Sequence, residues 1–431
     1  MSDAPPHGTG SGGASGAGLA RDEGLARIRL IRSPNIGPVT YAQLLRRFGN
    51  ARAALDALPE LAARGGRAAG RARGYVPVSE ADIAAEIKAV RAAQARYIFH
   101  DSPDYPHLLR QVEAAPPILI ARGRAAILHA TPVAIVGARN ASAAATRLAR
   151  ELARGLAEAG YPVVSGLARG IDAAAHRGAL GYASGAGTAA VIAGGIDVAY
   201  PPEHAELQDE IAERGLLLTE VPPGVSPINR HFPARNRIIA GIAAGTVVVE
   251  AAMKSGSLIT ARIAGDYGRE VMAVPGSPLD PRSHGCNEMI RDGAILVQSV
   301  GDIIELLASF DGVPRSHFQE DGESYAPGPP EAAFALDEEW AGERTLPDGA
   351  TFGWDAGDGD DAASTDPLRA EEGGAAFNAR ILAMLSVTAV GVDEIVRQSG
   401  LSAGAVQMAL VELELSGELI RHAGGRVSRA V

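Results

Sequence analysis

Four segments between Val133 and Ser257 set small residues beside a fixed cation: Gly137-Ala-Arg139, Ser165-Gly-Leu-Ala-Arg-Gly170, Phe232-Pro-Ala-Arg-Asn-Arg237 and Lys254-Ser-Gly-Ser257. Each follows an apolar run or opens a helix. Small residues there let backbone N–H groups approach phosphate oxygens, and a guanidinium adds a bidentate clasp. Gly137 leaves room for a turn from which Arg139 projects. Ser165, Gly166 and Gly170 frame a second turn carrying Arg169. The third segment joins the ring of Phe232 to Arg235, Asn236 and Arg237, which supplies a stacking face for a base and charge for its backbone. In the fourth, Lys254, Ser255, Gly256 and Ser257 open a helix with free amides and hydroxyls. The expected ligand is a phosphate polymer.

Each group has a plainer role open to it. For Arg139 this is an acidic partner across the sheet, for Phe232 a place in the core, and for the serines ordinary helix capping. Asp172 is read as a helix cap rather than a catalytic acid, and His176 as a packed or solvated side chain. Glu250 closes an apolar run, but no nucleophile or metal-ligand cluster is spaced to use it, so its expected role is structural. Cys286 is read as a small buried hydrophobe. The G-x-G-x-x-G spacing is missing, which argues against a dinucleotide cofactor. No catalytic residue, metal site or cofactor is expected.

The elements that must position these groups follow from hydrophobic patterning. Val133 to Val136, Val163 to Ser165, Ala189 to Ala193, Leu216 to Glu220, Thr246 to Glu250 and Val271 to Val274 are short continuous apolar runs, as in strands covered on both faces. Helical stretches lie between them. The predicted fold class is α/β, an extended Rossmann-like, doubly wound, mostly parallel sheet with ligands beyond the carboxyl ends of its strands. Residues 97–123 supply a turn, a helix and an outer strand.

Around this core, residues 1–20 form an expected tail without a core, and 21–92 a small helical domain, SAM-like or helix-hairpin-helix-like. The Rossmann-like domain is expected over 93–310. Pro34-Asn-Ile-Gly-Pro-Val-Thr40 resembles a helix-hairpin-helix with one glycine at its turn, which leaves a DNA contact, a protein contact and a purely structural hairpin all open. Residues 375–431 have the outline of a winged helix. Its would-be recognition helix offers Gln407, Glu412 and Glu414 but no Lys or Arg, so base readout is not expected there. Arg421, Arg426 and Arg429 leave a backbone contact or a protein partner for its wing.

The chain carries a formal net charge of -11, yet residues 311–374 hold 17 Asp plus Glu against 3 Lys plus Arg, a net of -14 that leaves the remainder at +3. The acidity belongs to a Gly- and Pro-rich linker expected to be disordered. A polyanion partner is therefore compatible with the rest. No run of about 18 apolar residues and no signal-like start occurs. With a single cysteine, a reducing cytoplasm and no membrane contact are expected.

Several of these segments, read in order, carry a family resemblance. Ile135-Val-Gly-Ala-Arg139, Ser165-Gly-Leu-Ala-Arg-Gly-Ile-Asp-Ala-Ala-Ala-His176, Asp197-Val-Ala-Tyr-Pro-Pro202, Phe232-Pro-Ala-Arg-Asn-Arg-Ile-Ile-Ala-Gly241, Val249-Glu-Ala251, Ser255-Gly-Ser-Leu-Ile-Thr-Ala261 and Gly268-Arg-Glu-Val-Met-Ala-Val-Pro-Gly276 closely resemble the DNA-processing protein A family (DprA, also called Smf), from about Pro103 to Leu307. The resemblance implies a non-enzymatic protein that binds and protects single-stranded DNA, forms a homodimer and loads the RecA recombinase in natural transformation. It implies a phosphate contact for Arg139, the strand pocket for Phe232, and a lining role for Arg235 and Arg237. Two positions depart from the pattern: Ala138 replaces a serine, and Ala144-Ala145 stands where Tyr-Gly is common. The apolar stretch Gly293 to Val297 and its neighbours are candidates for the oligomer interface. The rival class is a nucleoside-monophosphate phosphoribohydrolase on a similar sheet, whose Pro-Gly-Gly-x-Gly-Thr run is missing here.

Overall fold

The computed structural model describes residues 13–68, 74–112, 114–308, 310, 367–422 and 425–430. Residues 1–12 and 311–366, most of the expected tail and linker, lie outside the described residues. Two compact units are formed, one from Met1–Ala85 with Leu346–Val431 and the other from Glu86–Thr345.

The chain opens with helices α1 (Gly13–Arg32), α2 (Pro38–Phe48), α3 (Ala51–Ala68) and α4 (Glu80–Ala92). Helix α1 reaches into the stretch expected to lack structure, because a helix anchored by buried Ala26 and Leu30 extends at little cost per residue. Pro38 begins α2, where its missing N–H is not needed, and Gly49 ends it in a left-handed conformation.

The second unit contains strands β1 (Arg96–Phe99), β2 (Ile118–Gly123), β3 (Val133–Gly137), β4 (Val163–Ser165), β5 (Thr188–Val191), β6 (Leu216–Thr219), β7 (Gly245–Val249), β8 (Glu270–Ala273) and β9 (Ile295–Leu296). Between them run α5 (His107–Arg110), α6 (Ala143–Glu158), α7 (Ile171–Leu180), α8 (Ala205–Arg214), α9 (His231–Ile242), α10 (Gly256–Asp266) and α11 (His284–Arg291), and α12 (Val300–Ala308) follows. The sheet order is β1-β2-β6-β5-β4-β3-β7-β8-β9. From β6 to β9 every pairing is parallel, while β2 runs antiparallel to both its neighbours.

The pleat divides the buried residues between two cores. Val133 and Ile135 pack with Ala149, Leu152 and Leu156 of α6, whereas Ala134 and Val136 pack with Ile238 and Ile239 of α9 and Ala261 of α10. Both faces of the sheet are covered, which is why its strands read as unbroken apolar runs. This is the doubly wound, mostly parallel arrangement expected from the sequence. Strand order reverses between β3 and β7, so the crevice of the switch point opens where their carboxyl ends release the chain. No helix among the described residues is long and apolar enough to cross a membrane.

The first unit is completed by α13 (Pro367–Met384), β10 (Val390–Gly391), α14 (Val392–Ser399), α15 (Ala403–Leu415), β11 (Leu419–His422) and β12 (Arg426–Arg429), with β12 between β10 and β11. This is a winged helix. Helix α15 is apolar on two sides: Val406, Ala409, Leu410 and Leu413 pack with α13 and α14, while Val411 and Leu415 pack with Leu44, Leu58 and Leu61 of α2 and α3. The two ends of the chain thus share a core.

Candidate nucleic-acid interface

At the switch point β3 ends on Gly137, and the next two residues are held from both flanks. The N–H of Ala138 donates to Glu250 O at 2.7 Å, and Ala138 O accepts the N–H of Ile171 at 3.2 Å. Gly170 has φ +72°, and a Cβ there would overlap the carbonyl oxygens of Ala138 and Arg139. Only glycine lets the two loops pass so closely. Arg139 is left exposed, with its guanidinium 5.3 Å from the centroid of the Phe232 ring. Phe232 lies in the first turn of α9, 5.7 Å from the ring of Tyr200, and Tyr200 is 47% exposed. A cation and two rings are contiguous on one rim. No carboxylate pairs with Arg139 among the described residues.

Arg169 and Gly170 stand beside this group. Arg169 is exposed and paired with Glu203, whose carboxyl it holds below the usual range. An ion pair in water contributes little and exchanges readily for a phosphate. The start of α10, beyond β7, is more self-contained than the sequence suggests. Ser255 caps the helix by accepting the N–H of Ser257, and the two hydroxyls lie 2.7 Å apart. Ser257 is buried, while Lys254 and Gly256 face solvent. The expected cradle is therefore reduced to Lys254 and the helix start at Gly256.

Arg235 and Arg237, expected to line the pocket, are buried. Nη1 of Arg235 donates to Gly166 O and to Val191 O, and its Nε donates to Asn236 Oδ1 at 3.1 Å. Burial pulls its pKa down to about 10, against the opposing pull of Asp172. Arg237 pairs with Glu220 and donates to Ala114 O. Long guanidiniums on a helix pressed against a sheet reach inward to carbonyls, and these two brace the site from beneath.

Ser165 and Gly166, expected at the phosphate, also turn their polar groups inward. Ser165 is buried with its hydroxyl donating to Ile135 O, and the N–H of Gly166 is taken by Asp172. Asp172 also accepts the N–H of Ala168, so it shapes the preceding turn instead of capping α7, whose cap position is Gly170. Burial pushes its carboxyl pKa up, opposed first by Arg235. His176 is buried against Thr188. Cys286 is buried, with its thiol pKa raised to about 11 by that burial.

The winged helix offers less free charge than its sequence suggests. Arg421 is buried, with Nε donating to Glu414 at 2.8 Å, and Thr40 of α2 donates to the same carboxylate. Glu412 pairs with Arg64 of α3 and accepts from Asn378, and Gln407 accepts from Gln43 of α2 at 2.6 Å. Each polar group read on the recognition helix is spent inside this unit. The turn before α2 is engaged as well, with Asn35 donating to Leu415 O.

Two contributors escaped the sequence reading. Tyr200 lies within the segment Asp197 to Pro202, and an aromatic between Ala199 and Pro201 is the signal the sequence offers. The second face of α15 was signalled by Val411 and Leu415, apolar residues outside the Val406-Ala409-Leu410-Leu413 stripe.

Comparison with known proteins gives concordant matches. Residues 96–308 match the family model of DNA recombination-mediator protein A, residues 21–89 a DprA-like N-terminal HHH domain, and residues 364–425 a DprA winged helix domain. The X-ray structure of DNA processing protein A from Streptococcus pneumoniae is 41% identical, with a TM-score of 0.50 over 54% of this chain and 79% of that one. Among curated relatives, DNA processing protein DprA of S. pneumoniae is 52% identical over 117 residues, 27% of this chain and 42% of the relative. Protein Smf of Synechocystis sp. is 35% identical over 242 residues, 56% of each chain. The chain thus spans about half the length of these curated relatives.

Proposed function

The chain belongs to the family of DNA recombination-mediator protein A, and from that premise we propose that it binds single-stranded DNA at the switch-point rim, protects it and loads it onto the RecA recombinase during transformation. The observation that carries this reading is the contiguous set Arg139, Phe232 and Tyr200. Arg139 holds a phosphate, the two rings receive bases, and Arg169 and Lys254 extend the positive rim. Rings accept any base, so recognition has little sequence preference, and stacking adds about 1–3 kcal/mol per base.

The protein acts by binding, without a chemical step, in the cytoplasm where RecA meets incoming strands. A recombination mediator must present its strand to a second protein, which supports RecA as partner. Two copies pair along the β9 edge, where Ile295 and Leu296 are exposed on a strand that, among the described residues, is bonded only to β8. An open strand edge with apolar side chains is a template for a second copy.

Binding of a labelled oligothymidylate to the full chain tests the reading. Arg139→Glu and Phe232→Ala each weaken it, the latter by about 5- to 150-fold if one base is lost from the stack. Unchanged affinity in both variants removes the rim as the site. Stimulation of RecA filament formation on the same strand tests the partner.

A further inference from the structure

We infer that Glu250 is the positioning residue that fixes Arg139 for its phosphate, an inference that rests on the rim being the DNA site. Glu250 follows β7 directly across the switch point from the loop that carries Arg139. Its backbone oxygen accepts the N–H of Ala138 at 2.7 Å, just before Arg139. Its carboxylate accepts the N–H of Ser142 at 2.9 Å and the hydroxyl of Ser142 at 2.5 Å, at the loop's far end. Ser142 in turn caps α6 by accepting the N–H of Ala145. One residue therefore clamps both ends of the five-residue loop 138–142, and the helix behind it is fixed through the same serine.

The backbone of Glu250 supports this reading. Its φ is +58°, a left-handed conformation that a side chain with a Cβ adopts at a cost. The carboxylate is 9% exposed and bonded to the loop, with Arg282 Nε 3.9 Å from Oε1, the oxygen that also accepts the Ser142 N–H. It is also an anion placed near a rim that binds anions. Electrostatics alone makes such a group adverse to DNA, so removing it should tighten binding unless the loop depends on it. The two roles have opposite signs.

Oligothymidylate affinity and its salt dependence in the full chain decide between them. Glu250→Ala is expected to weaken binding about tenfold, the value of a charge-assisted contact, and to lower the salt slope by about 0.7, one phosphate's worth on a single strand. Adding Arg139→Ala to it changes affinity less than Arg139→Ala changes the wild type. Glu250→Gln keeps an acceptor for Ser142 and recovers most of the affinity. Ser142→Ala leaves β7 intact and weakens binding in the same non-additive way, which guards against a folding defect in the first variant. Equal or tighter binding by Glu250→Ala, or losses that multiply with Arg139→Ala, overturns the inference. Loss in Arg139→Ala without loss in Glu250→Ala overturns it alone, whereas no loss in Arg139→Ala overturns the site reading and the inference together.

Discussion

The guanidinium of Arg235 lies directly against the backbone of Gly166, so that a Cβ on Gly166 would overlap Nη1 and Cζ. That contact holds the β4 loop over a buried cation bonded to two carbonyls and to Asn236, with the charge of Asp172 nearby. Gly166→Ala should expel the guanidinium and leave Asp172 without its neighbour. A loss of about 3 kcal/mol is expected, or about 6–12 °C in the melting temperature of a unit this size. Calorimetry of the full chain checks it, and an unchanged melting temperature would show that the contact carries no load.

Arg237 should behave as a brace. Its side chain is 5% exposed and its partner Glu220 18%, so Arg237→Ala breaks a largely buried ion pair and costs about 3 kcal/mol. The salt slope of DNA binding by the folded variant should stay at the wild-type value. A slope lowered by about 0.7 would return Arg237 to the list of phosphate ligands.

Stability should fall with acid through His176. Nδ1 of His176 lies 2.8 Å from Thr188 Oγ1, whose own proton goes to Val163 O, so the ring nitrogen is the donor and Nε2 is left buried without a partner. Burial lowers the pKa from 6.5 to about 3. Between those values the unfolded chain binds a proton that the folded chain refuses, so stability is present above pH 6.5 and is lost as pH falls towards 3. The slope is about 1.4 kcal/mol per pH unit at most. Denaturant unfolding at pH values inside that window should show a shallower dependence for His176→Asn, which keeps a donor to Thr188. Parallel curves would remove His176 as the source.

Leu415→Ala reports on the shared core of the first unit. Leu415 is 2% exposed and packs with α2 and α3, so a loss of about 2–5 kcal/mol is expected. Amide exchange should accelerate in α3 and α15 together. Acceleration confined to α15 would mean that the two ends of the chain are stabilised independently.

Much of the second unit was legible because its physics is local. Strands covered on both faces must be apolar throughout, and Val133, Val163, Leu216 and Val271 open such runs. Arg139 and Phe232 were legible as residue types at fixed offsets from a strand end and a helix start. Their meeting at 5.3 Å was not, because it depends on the strand order that brings α9 to the end of β3.

The misreadings share one cause. Arg235, Arg237 and Arg421 are cations that a linear reading places in solvent, yet each finds acceptors that the fold alone creates: Gly166 O, Glu220 and Glu414. The position of Asp172 at a helix start suggests a cap, while its actual donors lie upstream at Gly166 and Ala168. Sequence shows a polar group's capacity. Only the tertiary structure shows where that capacity is used.

The salt dependence of oligothymidylate binding tests the rim most directly. Affinity of the wild type should fall linearly on a log–log plot, and Arg139→Ala should reduce the slope by about 0.7 while Arg237→Ala leaves it alone. An identical slope in wild type and Arg139→Ala would mean that DNA, if bound at all, is held elsewhere on the molecule.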